Sequence, residues 1–155
     1  MLSAKKISTK EINIIRLVKR SDSRAVWKIH NHPLNRRHFH HTEPVSFAHH
    51  DSWFNNKYFK EKKNRCFVLE NKKKVIGYCR YDLDKDCYVV SIALLPKHQG
   101  KGLGKLLLSG SLGILKTKRV VLADIMKGNP SSIKLFKDNK FKKYKEDKEY
   151  DYYKL

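Results

Sequence analysis

The sequence has little of what would place it outside ordinary globular proteins. Of its 155 residues only 7 are glycine and 4 are proline, and no Pro-, Gly- or Ser-rich linker divides it. It has no run of about 18 uncharged apolar residues, and its first residues lack the apolar core of a signal peptide. We therefore expect a cytoplasmic protein with no membrane partner. The length suits one domain, which we assign to residues 1–155.

Cysteine is also scarce. Cys66, Cys79 and Cys87 are an odd number without CxxC spacing, and each lies in an apolar segment that resembles a strand. We expect reduced core thiols rather than disulfides. Histidines cluster between residues 38 and 50, but their spacing, with no carboxylate partner, is not typical of a zinc site. The sequence therefore predicts no metal.

Acidic residues are few, 15 against 35 lysines and arginines, so the formal net charge is +20. A charge this high is typical of nucleic-acid binders. Most of it, however, is lysine scattered along the chain rather than a patch of arginine and aromatic residues. We expect no nucleic-acid partner, and note that a basic surface attracts small polyphosphorylated ligands equally well.

The hydrophobic pattern predicts the order βααβββαβαββ, which is an α/β or α+β sheet with helices on both sides. The predicted strands cover residues 12–18, 66–70, 75–82, 87–95, 120–126, 141–144 and 150–153. The predicted helices cover residues 25–31, 46–59, 102–116 and 129–137. The segment 87–95 is almost continuously apolar, which indicates a central strand covered on both faces.

Three of the seven glycines lie within five residues, between that central strand and a leucine-rich helix. Gly100, Gly102 and Gly104 let the backbone adopt positive φ and approach a ligand closely. The first turn of the helix has free N–H groups and a partial positive charge, so the position suits a pyrophosphate. Lys101 and Lys105 add charge. The spacing differs from GxGxxG and lacks the GK[ST] of a triphosphate loop. The alternative is a tight turn with no ligand.

Two motifs resemble one family. Residues 99–104, Q-G-K-G-L-G, are similar to the [QR]-x-x-G-x-[GA] signature of the GNAT (Gcn5-related) N-acetyltransferases. Residues 129–141, NPSSIKLFKDNKF, resemble the family's later N-x-x-[SA]-x-x-L-[YF]-x-x-x-G-F segment, although Asn139 and Lys140 stand where the family usually has glycine. The resemblance covers about residues 66–144.

The resemblance implies the GNAT fold, with a mixed, mostly antiparallel sheet whose parallel central strands splay apart. It also implies acetyl-coenzyme A as acetyl donor, bound between those strands. Backbone groups of Ile92, Leu94 and Leu95 would pair with the pantetheine arm. Asn129 would hydrogen-bond the cofactor, and Phe136 would pack near the thioester. The pyrophosphate would be bound by the loop residues Gln99, Gly100, Lys101, Gly102, Leu103, Gly104 and Lys105.

The proton chemistry is not visible in the motifs. Many members of the family relay the amine proton through a glutamate before the glycine loop and protonate the thiolate with a tyrosine on the last helix. The matching positions here are Val89 and Phe136, which cannot transfer protons. The candidates for the base are Asp82 and a histidine of the N-terminal half, for which we take His50.

Residues 30–54 resemble the N-x-P-x-x-R … S-x-x-x-H-x-x-W-F pattern of acetyltransferases that act on amino-sugar nucleotides in nonulosonic-acid pathways, such as the pseudaminic-acid branch. The residues that match are Asn31, Pro33, Arg36, Ser46, His50, Trp53 and Phe54. The resemblance places Arg36, His50 and Trp53 at the acceptor, with Arg36 and Arg37 available to bind a diphosphate. Each also has a structural interpretation, Trp53 as core, His50 as a hydrogen-bonded histidine and the arginines as solvated surface.

We therefore expect an acetyl-coenzyme A-dependent N-acetyltransferase, a monomer or homodimer, whose small-molecule acceptor is the 4-amino group of a nucleotide-linked amino sugar. One alternative is acetylation of protein N-termini, as in the ribosomal-protein branch of the same superfamily. The other is a non-catalytic basic module that binds acyl-coenzyme A or RNA.

Overall fold

A computed structural model describes residues 11–155, which contain a seven-stranded sheet in the order β1-β2-β3-β4-β5-β7-β6. All neighbouring strands are antiparallel except β4 and β5. This confirms the predicted α/β class and the mixed, mostly antiparallel sheet. The strands are β1 (Asn13–Leu17), β2 (Arg65–Asn71), β3 (Lys74–Asp84), β4 (Cys87–Leu94), β5 (Val121–Met126), β6 (Lys142–Glu146) and β7 (Tyr150–Lys154).

Five α-helices cover the sheet in the described part of the chain. They are α1 (Ser23–Asn31), α2 (Pro33–Arg36), α3 (Phe47–Asn55), α4 (Leu103–Leu115) and α5 (Pro130–Asp138). The second predicted helix is shorter than expected, because α3 gives way to a π-helical turn over Asn56–Lys60. The 46–59 segment is therefore a helix followed by a wider turn.

Each face of the sheet has its own hydrophobic core, because alternate strand residues point to opposite faces. On β3, Cys79 and Tyr81 pack with the α4 residues Leu107 and Leu108. Tyr78, which precedes Cys79, faces the other way and belongs to the cluster formed with α1 and α3. The strands are thus covered on both sides, as the apolar run in β4 indicated.

Because glycine is scarce, lysines occupy turn positions where glycine is usual. The β2–β3 hairpin has a two-residue loop, Lys72 and Lys73, with φ of 49° and 62°. Positive φ at both central positions is the requirement of a type I′ hairpin turn, which usually contains asparagine and glycine. Lys140, where the family usually has glycine, also has a φ of 70°. Lysines therefore occupy left-handed positions that glycine would adopt with less strain.

The cysteines are free thiols. Cys66 and Cys79 are buried and Cys87 is half-buried. Burial raises the pKa of the Cys66 thiol, and it raises that of Cys79 to about 11, so both remain protonated at neutral pH. Among residues 11–155 no helix is both long and apolar enough to cross a bilayer.

Candidate active site

The parallel strands β4 and β5 are joined only at the start. Two residue pairs connect them, Tyr88 with Val121 and Val89 with Leu122, and beyond these the strands separate. A cleft of about 570 Å³ lies at this gap, lined by residues of both strands, α2, the glycine loop and α5. The splayed parallel strands implied by the sequence resemblance are therefore present.

The peptide groups facing the gap follow from the alternation along β4. The N–H of Tyr88 donates to Val120 O (2.9 Å), on the β5 side, whereas the N–H of Leu95 donates to Ile76 O (2.8 Å), on the β3 side. Because the N–H and C=O groups of successive residues in a strand point alternately to its two sides, those of Val90, Ile92 and Leu94 face the gap. The predicted pairing of Leu95 with pantetheine is wrong, since its N–H is already used within the sheet.

The glycine loop lies at the open end of the gap. Gly100 and Gly102 have φ of 74° and 78°, and a Cβ added to either would have no atom within 4 Å. Gly102 is the N-cap of α4 and offers no side-chain acceptor, so the first N–H groups of that helix lack intrahelical partners. Lys105 lies in the first turn and lines the cleft. The loop is therefore an open, positively charged concavity of backbone donors, which fits a pyrophosphate.

Gln99 has a structural role in addition to its place at the cleft. Its Nε2 donates to Asn35 Oδ1 and to Leu94 O, both at 3.0 Å. Asn35, buried in α2, donates in turn to Ile29 O (2.8 Å) and Leu94 O (2.9 Å). These bonds connect the glycine loop, α2 and the end of β4. Sequence reasoning missed Asn35, since an asparagine in a short polar segment gives no signal of burial.

Helix α5 forms the opposite wall. Asn129 caps it, accepting from Ser132 N–H at 3.3 Å, and its side chain lines the cleft. Phe136, also at the wall, is only 3% exposed and packs edge-on against Phe141 with ring centroids 4.9 Å apart. Phe136 has no proton to transfer, so it shapes the wall.

The structure thus gathers most of the predicted cofactor residues at one cleft. These are Ile92, Leu94, Gln99, Gly100, Gly102, Gly104, Lys105, Asn129 and Phe136. Lys101 and Leu103 do not line it. Lys101 is exposed in the loop, and Leu103 packs against the core beneath α4.

Two predicted acceptor residues have structural roles instead. His50 is 4% exposed, and its Nε2–H donates to Ser23 O at 3.0 Å. Burial lowers the pKa of His50, so the ring stays neutral and connects α3 to α1. Arg36 donates to Asn31 O (2.9 Å) and Thr42 O (3.0 Å), holding the loop after α2. The predictions of His50 as base or acceptor contact and of Arg36 as phosphate clamp are therefore wrong.

Asp82 is also a poor candidate for the base. Its Oδ1 accepts from Tyr58 OH at 3.0 Å, its Oδ2 is 3.2 Å from Lys57 Nζ, and it does not line the cleft. Both carboxylate oxygens of Asp82 therefore have partners within the protein, away from the cleft. Trp53 lies nearby, with the guanidinium carbon of Arg80 5.0 Å from its ring centre.

Other titratable groups do lie at the cleft. Asp124 on β5 lines it, two residues beyond the last β4–β5 pair, and His40 Nε2 is 3.4 Å from Asp124 Oδ2. The His40 ring stacks on Tyr150 with centroids 4.2 Å apart. Arg37 and His38 line the same mouth. The histidine-rich segment was noticed in the sequence, but its pairing with β5 depends on tertiary structure.

Among residues 11–155 no group of three or more histidine, cysteine, aspartate or glutamate side chains is placed to hold a metal ion.

Comparisons with known proteins agree with this geometry. Residues 25–141 match the profile of the acetyltransferase (GNAT) family. A search of curated proteins found no significant match.

Solved structures superpose over nearly the whole chain. One is YncA, a putative acetyltransferase from Salmonella typhimurium solved with acetyl-coenzyme A (TM-score 0.78, 23% identity, covering 92% of both chains). A second is ribosomal-protein-alanine N-acetyltransferase from Brucella melitensis (0.79, 19%, covering 92% of this chain and 98% of that one). A third is spermidine N-acetyltransferase from Vibrio cholerae with coenzyme A and spermine (0.75, 20%, 92% of both).

Because these sequence identities are low, the superpositions establish the fold alone. The match to the family profile, by contrast, covers most of the chain. With the splayed strands and the glycine loop in place, the chain belongs to the GNAT family of acetyltransferases, whose acetyl donor is acetyl-coenzyme A.

Proposed function

We propose that this enzyme transfers the acetyl group of acetyl-coenzyme A to the primary amine of a nucleotide-linked amino sugar. The observation that carries the acetyl-transfer part is the edge of β4 beyond its pairing with β5, where the backbone of Ile92 and the N–H of Leu94 face the gap next to the glycine loop. Such an edge accepts an extended ligand as it would accept another strand.

The residues present fit acetyl-coenzyme A. The N–H groups at the start of α4 and the open space over Gly100 and Gly102 suit its pyrophosphate, with Lys105 adding charge. The backbone of Ile92, the N–H of Leu94 and the side chain of Asn129 suit its amides. The bound cofactor supplies the activated acetyl thioester, and the gap positions it so that the amine need only be aligned.

The acceptor amine must lose a proton, and we assign its removal to Asp124 and His40. Asp124 lies where β5 leaves β4, and an ammonium group entering a strongly basic protein is attracted to a carboxylate there. His40, 53% exposed and in contact with Asp124, can pass the proton to water. The N–C bond forms, the C–S bond breaks, and the thiolate is protonated from solvent. A positioned base contributes roughly 10² to 10⁴ in rate.

The choice of acceptor class depends on charge. Arg37 lines the mouth of the cleft and is not tied to backbone carbonyls as Arg36 is. With a net charge of +20, the surface attracts a nucleoside diphosphate and repels a polyamine. A ring amine on a sugar is also less basic than an alkyl amine, so it needs less help from a base.

Thiol release from acetyl-coenzyme A, followed with a panel of acceptors, tests the proposal. The panel contains UDP-linked 4-amino sugars, peptides with free N-termini and spermidine. Turnover with the nucleotide sugars alone is the expected result, and free UDP should compete. Turnover with peptides alone, insensitive to UDP, would instead establish the protein N-terminal activity. Salt-sensitive RNA binding with no thiol release would favour the non-catalytic module.

A further inference from the structure

One arginine of the interior is not accounted for by acetyl transfer. Arg80 lies on β3, its side chain is 22% exposed, and its Nε is buried without a hydrogen-bond partner among the described residues. The guanidinium lies over the ring of Trp53. Buried polar groups in native proteins nearly always have partners, so an unsatisfied guanidinium nitrogen needs an explanation.

The charge around Arg80 is not balanced. The nearest carboxylate is Asp82, with Oδ2 3.7 Å from Nε, but Lys57 Nζ is closer to the same oxygen at 3.2 Å. Two cations thus share one anion. Of the neighbours, Tyr58 stays neutral because burial raises the pKa of its hydroxyl. Burial, followed by the charge of Arg80, lowers the pKa of His30 to about 4, so it is neutral at pH 7.

Arg80 does not itself line the reaction cleft, but it lies next to a residue that does. Arg80 is the register partner of Ser91 on β4, and Ser91 lines the cleft. Directly paired residues project from the same face of a sheet, with Cβ atoms about 5 Å apart. That face is the one covered by α1 and α3, since Tyr78 on the same strand points there. Arg80 is therefore one strand away from the edge on which acetyl-coenzyme A is expected to bind.

We propose that Arg80 binds an anionic group, a phosphate or carboxylate, carried by the acceptor close to its reactive amine. This inference rests on the proposed acetyl transfer and adds the site that selects its acceptor. Arginine suits the role because its planar fork makes two parallel, charge-assisted hydrogen bonds to such a group. Trp53 packs against the guanidinium of Arg80 and so holds its orientation. Trp53, which the sequence predicted to contact the acceptor, would thus be a positioning residue.

The first experiment uses the tryptophan next to the site. The sequence contains two tryptophans, so Trp27→Phe leaves Trp53 as the only reporter. The protein is saturated with coenzyme A to fill the glycine loop, and inorganic pyrophosphate or acetate is titrated while Trp53 emission is followed. Arg80→Gln and Arg80→Lys are compared with Arg24→Gln as matched control, because Arg24 also stacks on an aromatic ring, Phe47 at 3.8 Å, but is exposed on α1.

We expect at least one of the two anions to bind. Arg80→Gln should weaken binding by roughly 10- to 100-fold, the range of a lost charge-assisted pair, whereas Arg80→Lys should retain part of the affinity. Arg24→Gln should change nothing. Stronger binding of pyrophosphate identifies a phosphate on the acceptor, and stronger binding of acetate identifies a carboxylate.

The proposal is overturned if neither anion binds, or if Arg80→Gln and Arg24→Gln bind equally well. Coenzyme A affinity is measured first in every variant, because it distinguishes failure of the proposed function from failure of the Arg80 inference. If the unmodified protein does not bind coenzyme A, the proposed function is refuted. If coenzyme A binds but the response to the anions does not depend on Arg80, only this inference is refuted.

Discussion

The glycine loop allows the sharpest test of the cofactor site, because Gly102 can be given a charge without a steric clash. A Cβ there would have no atom within 4 Å, so Gly102→Glu adds little beyond backbone strain and a carboxylate. The strain of a non-glycine residue at a φ of 78° is about 1 to 2 kcal/mol, which lowers the free energy of unfolding. Gly102→Asn should lower it less, since asparagine tolerates this conformation.

The carboxylate introduced by Gly102→Glu should also repel the pyrophosphate of acetyl-coenzyme A. Two like charges about 4 Å apart repel by roughly 4 kcal/mol at an effective dielectric constant of 20, nearly three decades in Kd. Because solvent at the open loop screens part of this, we expect acetyl-coenzyme A to bind Gly102→Glu about 100-fold more weakly. Gly102→Asn should bind within several-fold of the unmodified protein.

Calorimetric titration with acetyl-coenzyme A, paired with urea unfolding, measures both quantities. Gly113→Glu is the matched control. Gly113 lies in the same helix, is exposed, and likewise has no atom near an added Cβ. Equal affinity of Gly102→Glu and Gly113→Glu would refute the assignment of the loop to pyrophosphate.

Three further outcomes are expected. A Cβ at Gly77 would overlap the Leu94 side chain, so Gly77→Ala should cost about 1 to 3 kcal/mol in urea unfolding and also weaken acetyl-coenzyme A binding; unchanged values for both would contradict the packing. Asp124→Asn should lower kcat on the order of 10²-fold, whereas Asp138→Asn, also at the cleft but paired with a lysine, should not; equal losses would rule out the assigned proton acceptor. Because the pKa of His30 falls to about 4 on folding, protonation favours the unfolded chain, and stability present above pH 6.5 should decrease by about 2 kcal/mol by pH 4.5; the same decrease in His30→Gln would assign it to other groups.

Local patterns predicted the order of all seven strands and of every helix except the short α2, and most of the residues they assigned to a cofactor lie at one cleft. The apolar runs, the leucine spacing of α4 and the Asn129 cap are all properties of short segments, and the structure contains each of them near the expected residues. Even the β2–β3 hairpin was visible, although its turn consists of lysines. The strand ends differ by one or two residues, which is the usual uncertainty at element boundaries.

Predictions for the acceptor side were less successful, since they concern contacts between segments far apart in the chain. His50 and Arg36 have the residue types of a phosphate site, but their partners are backbone groups that no pattern reveals. Arg80 was missed because an arginine in a half-buried strand resembles a surface residue. Its significance depends on the charge of Lys57 and Asp82, which only the folded chain brings together.

The short junction between β4 and β5 divides the sheet mechanically. Strands β1 to β4 form one antiparallel leaf and β5, β7 and β6 another, and across the sheet the leaves meet at only two residue pairs. Such a seam is the natural place for local opening, because each leaf keeps its own hydrogen bonds when the seam breaks. A ligand bound along the gap would contact both leaves and so oppose their separation. Amide exchange at Tyr88, whose N–H donates across the seam to Val120 O, should therefore slow on binding more than exchange at Val121, whose N–H donates to Leu155 O within its own leaf.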